Sequence, residues 1–87
     1  MIIYKYTLSM EHQQDVEMPE GAQLLSVQVQ NSAVQLWALV DPTAPTVTRK
    51  IVLCATGEPI HVDLGQFIST FQLLGGSVVF HAFEAAW

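Results

Sequence analysis

Basic residues are almost missing from this chain: Lys5, Arg49 and Lys50 stand against eight carboxylates, for a formal charge of -5. A nucleic-acid backbone is bound largely through Lys and Arg that displace its counterions, so no nucleic acid and no anionic membrane is expected as a partner. Arg49 and Lys50 are adjacent, and they are the charge donors to expect if a small phosphate-bearing ligand binds. Cysteine is as scarce. Cys54 alone allows no intrachain disulfide and no multi-cysteine metal site. Within Ile51-Val52-Leu53-Cys54-Ala55 it is expected as a small buried hydrophobe, in a reducing cytoplasm. No apolar run approaches the ~20 residues of a membrane-spanning helix, and residues 1–8, with Lys5 and two tyrosines, do not resemble a secretory leader. Glycine-rich nucleotide fingerprints, nucleophile elbows and paired zinc-binding histidines are also missing, so the chain is not expected to be an enzyme or to carry a cofactor or metal.

Charge of either sign is thin, at 13% of residues, where an ordinary domain carries about 25%; hydrophobic residues make up 51%. A chain of 87 residues has room for a single core, so residues 1–87 are expected to form one β domain. So small a body cannot turn all that apolar surface inward. Self-association is therefore expected, as a dimer or small closed ring, with residues 33–40, residues 78–83 and the Trp87 tail as contacts.

The apolar residues recur mainly with a period of two. Ile2, Tyr4, Tyr6 and Leu8 alternate with Ile3, Lys5, Thr7 and Ser9, which predicts a strand with the first set on one face. A short second strand is expected at Val16-Glu17-Met18, broken by Pro19-Glu20-Gly21. Residues 25–30 alternate cleanly, and Asn31-Ser32 reads as a tight turn. Residues 33–40 are apolar except for Gln35, which predicts a strand buried on both faces or at a subunit contact, with Trp37 in the core. Two prolines at 42 and 45 make a loop, residues 46–56 are rich in β-branched side chains, and Gly57-Glu58-Pro59 closes that strand. Residues 60–65 show no clear pattern. Residues 67–74 and 78–83 read as a hairpin about Gly75-Gly76 with positive φ. The expected fold is all-β, a small antiparallel sandwich or open barrel of six to seven short strands.

Few residues offer chemistry. His12, His61, His81 and Asp63 are the candidate metal ligands, and none has the helical spacing that preorganises zinc. His61 and Asp63 would share a strand face, although the turn before them favours a solvated loop. His81 shares a face with Val79 and Phe83, which suits a hydrogen-bonded histidine or a group that stacks on a ligand. Trp37 and Trp87 are the large aromatic faces available to a nucleobase.

Met18-Pro19-Glu20-Gly21-Ala22, Leu36-Trp37-Ala38-Leu39-Val40-Asp41, Thr56-Gly57-Glu58-Pro59-Ile60 and the ending Gly75-Gly76-Ser77-Val78-Val79-Phe80-His81-Ala82-Phe83-Glu84 span most of the chain. Together they resemble a family of small proteins encoded by bacteriophages and prophages. That resemblance implies a binding protein acting in the host cytoplasm, and it leaves two readings open. One is a counter-defence oligomer whose subunit junctions sequester a nucleotide-like host signal through Arg49, Lys50, Trp37 and His81. The other is an interaction module that inhibits a host protein, or a minor structural part of the virion.

Overall fold

The computed structural model describes residues 1–87. Seven strands follow one another: β1 (Ile2–Leu8), β2 (Gln13–Pro19), β3 (Gln23–Gln30), β4 (Ala33–Val40), β5 (Thr46–Ala55), β6 (Gln66–Leu73) and β7 (Val78–Glu84). The only helical element is a 3-10 turn at Leu74–Gly76. The strands form two antiparallel sheets, in the orders β1-β4-β3 and β2-β5-β7-β6, and do not close into a barrel.

Alternation along each strand makes the sandwich. On β4, Val34, Leu36, Ala38 and Val40 all point inward and are buried. They meet Met18, Ile51, Leu53, Phe71 and Ala82 from the other sheet, and each large apolar side chain removed from water there contributes about 1.5–3 kcal/mol. The Phe71 and Phe80 rings stack within this core at 5.9 Å. Asn31 and Ser32 both adopt left-handed φ (51° and 67°), which lets a two-residue turn join β3 to β4 at the Gln30–Ala33 pair.

Four features depart from the expectations. β2 is longer than Val16-Glu17-Met18, because polar Gln13, Gln14 and Asp15 also pair, against Val52, Ile51 and Lys50. Trp37 is not in the core: it points to the outer face of its sheet, half-buried between Lys5 and Ser26, since the inward positions of β4 are the even-numbered ones. β4 is accordingly buried on its inner face and only partly covered outside, where Thr7 donates a 2.8 Å hydrogen bond to buried Gln35. Finally, β4 and β7 are interior strands with both edges paired, so a second subunit could meet them only on a face. Gly75 and Gly76 do take positive φ (64° and 94°), but with Leu74 also left-handed, in a wider turn closed by Leu73 and Val78.

Residues 56–65 lack strand structure for a topological reason. β5 and β6 both run antiparallel to β7, so they are parallel to each other, and the chain must travel the length of the sheet to connect them. It then passes tightly beside the end of β7 at Gly65, where a Cβ would collide with the carbonyl oxygen of Glu84 and the backbone of Ala85 and Ala86.

Candidate functional site

One pocket, of about 380 Å³, opens where the ends of several strands converge. Register shifts lie in β3 between Leu24 and Ser26 and in β6 between Phe67 and Ser69, and such bulges bend an edge strand. The two bent edges meet: Ser69 Oγ accepts a 2.9 Å hydrogen bond from the Val27 amide and lies 3.3 Å from Ser26 Oγ. Just beyond this junction, Ala22, Gln23 and Leu24 form one wall of the pocket, and Gln66, Phe67 and Ile68 form the other. Arg49 and Glu84 complete it.

Arg49 is fully engaged. Its Nε and Nη2 donate to the two carboxylate oxygens of Glu84, the second at 3.0 Å, and its Nη1 donates to the Ala22 carbonyl at 3.0 Å. The fork ties β5 to β7 and to the β2–β3 corner. Hydrogen bonding to Glu84 raises the guanidinium pKa further above its ordinary value, so it stays charged at any working pH. The pocket thus combines an apolar wall, two exposed amides and a neutralised ion pair. It suits a small polar, uncharged group better than a phosphate.

The four residues nominated for ligand binding do not assemble. Arg49 alone lines the pocket. Lys50, next in a strand, points to the opposite face and pairs with Asp15 at 2.8 Å. Trp37 belongs to the other sheet. His81 lies on the outer face of β7, held between two hydroxyls: Thr56 Oγ1 at 2.7 Å from Nε2 and Thr70 Oγ1 at 2.9 Å from Nδ1. The third cation, Lys5, donates to Gln30 at 3.0 Å. His61 and Asp63 lie in the irregular connection, and Trp87 is exposed.

A grouping that sequence reasoning missed lies on the same outer face. His12, from the β1–β2 corner, and Glu58, from the turn after β5, lie over the buried thiol of Cys54. Their only sequence signal is the short Cys54–Glu58 spacing around Gly57; His12 is brought in by strand pairing alone.

The fold is a two-sheet antiparallel β-sandwich of three and four strands. Residues 1–86 match the family model described as a domain of unknown function, DUF7352, and the chain belongs to that family. No curated protein matches the chain, and no solved structure does.

Proposed function

We propose that this domain is a non-catalytic protein-binding module that works as a homo-oligomer, with the free edge of β1 pairing against β1 of a second copy. The observation that carries this reading is the exposure of that edge: Ile2, Ile3 and Tyr4 are 49%, 56% and 38% exposed. An unpaired apolar edge strand presents a row of backbone donors and acceptors to any strand that can pair with it. A second copy fits it well, because antiparallel pairing about a two-fold axis is self-complementary and would extend the three-stranded sheet to six. The strand carries one charge, Lys5, already turned to Gln30 on the outer face.

The resemblance to phage-encoded proteins extends this reading to a host cytoplasm, where the paired module binds and masks a host protein. Sequestration of a nucleotide signal has less support. Lys5, Arg49 and Lys50 are each engaged by another side chain, which leaves no free cation beside the pocket for a phosphate. Light scattering coupled to size exclusion tests the proposal. The wild type is expected at about twice the 9.6 kDa chain mass, and Ile3→Lys is expected near the single-chain mass, since an edge lysine opposes strand addition. A wild type that stays at single-chain mass across the micromolar range overturns the reading.

A further inference from the structure

Beyond that reading, the geometry points to a binding site for a divalent ion of the zinc type, formed by His12, Cys54 and Glu58 with one coordination position left to solvent. A ring nitrogen of His12, the Cys54 sulfur and a Glu58 carboxylate oxygen all lie within 4.8 Å of one another. His12 Nδ1 and Glu58 Oε1 are 3.7 Å apart. Bound ligand atoms of a tetrahedral zinc ion lie roughly 3–4 Å apart, given bond lengths of about 2.0–2.3 Å, so small side-chain movements close the site.

Each ligand is held by backbone. The Leu53 amide donates to the His12 carbonyl at 2.8 Å, which pins the β1–β2 corner beside Cys54. The Glu58 amide donates to the Ala55 carbonyl at 3.1 Å, and the Ala55 amide donates back to Glu58 Oε1 at 3.2 Å. Gly57 makes that turn possible with φ 85°. Cys54 is only 1% exposed, with its sulfur beneath the two surface ligands.

The donor chemistry selects the ion. One thiolate, one imidazole and one carboxylate suit zinc or cobalt, whereas magnesium and calcium prefer all-oxygen shells. Thiolate and carboxylate together neutralise a divalent charge. His81, though paired opposite Cys54 in the sheet, is not a fourth ligand, because both its ring nitrogens are taken by Thr56 and Thr70. A bound ion would clamp the β1–β2 corner to the β5 turn and stabilise the fold by mass action.

Cobalt(II) titration of the reduced, untagged protein tests the site. The expected result is a thiolate-to-cobalt charge-transfer band with the visible bands of four-coordinate cobalt, saturating at one ion per chain and displaced by zinc. Because replacing buried Cys54 can disturb folding, the exposed ligands carry the test separately. His12→Gln and Glu58→Gln are each expected to keep the strand circular dichroism of the wild type and to weaken cobalt binding about ten-fold or more. Absence of the thiolate band in the wild type, or unchanged affinity in either variant, overturns the proposal.

Discussion

The two free edges of the sandwich are built in opposite ways. β2 ends one sheet with Gln13, Asp15 and Glu17 on its outer face and Pro19 at its end; Asp15 bonds Lys50 and Glu17 accepts a bond from Thr48. Charge and proline are how edge strands avoid pairing with strangers. β1 ends the other sheet with Ile2, Ile3 and Tyr4 in contact with water. That contrast between a protected edge and an unprotected one is why the proposed self-association runs through β1. The other two sheet-end strands, β3 and β6, take no part in that contrast, because the Val27 amide of β3 donates to Ser69 of β6 and joins them to each other across the two sheets.

Four experiments break or sharpen this comparison. The largest effect is expected where no partner is needed. Arg49→Ala leaves the partly buried Glu84 carboxylate and the Ala22 carbonyl without their donor, and should lower unfolding free energy by about 2 kcal/mol, less than a fully buried pair because the site is partly solvated. Urea denaturation measures it; the oligomer mass of the folded protein should not change. Ser69→Ala removes the acceptor of the Val27 amide and should cost about 1 kcal/mol in the same assay. A loss below ~0.3 kcal/mol would mean that the β3–β6 junction does not depend on that serine.

The third experiment turns β2 into a second β1. Changing Asp15 and Glu17 together to Val should leave unfolding free energy within about 0.5 kcal/mol, because both positions are exposed. It should shift the light-scattering mass upward, beyond that of the wild type. An unchanged mass would show that apolar character at an edge is not enough for association here. The smallest effect concerns pH. Hydrogen bonds from the Thr43 side chain and amide lower the Asp41 pKa below its ordinary value, in the β4–β5 loop just past the Ile2–Val40 pair. Its stabilising contribution is therefore complete above the ordinary aspartate pKa and is lost as pH falls through the lowered folded value. Asp41→Asn should reduce the acid sensitivity of the melting temperature slightly without touching oligomer mass. A larger pH dependence in the variant would contradict the assignment.

Much of the fold was legible along the chain, because strand alternation is a local property. The period of two in residues 1–8, the Asn31-Ser32 turn, the β4 boundaries at Ala33–Val40 and the paired glycines before β7 each follow from side-chain pattern or from backbone conformations that few residues tolerate. Length and composition pointed to a single domain with excess apolar surface, and the recurring period of two pointed to an all-β fold. The candidate site was not legible. Adjacent strand residues face opposite ways, so Arg49 and Lys50 parted company although they touch in sequence. Trp37 looked like core within an apolar run, and only the register of β4 against β1 and β3 turned it outward.

What the sequence determined by itself, then, was the set of strands and the scarcity of cations. Their order in the sheets was a matter for tertiary structure. Whether a strand lies at an edge or in the middle depends on long-range pairing, and that placed apolar β1 at a free edge and the apolar β4 and β7 inside. The same pairing brought His12 across to Cys54 and joined Arg49 to Glu84, contacts between segments far apart in the chain that no local pattern encodes.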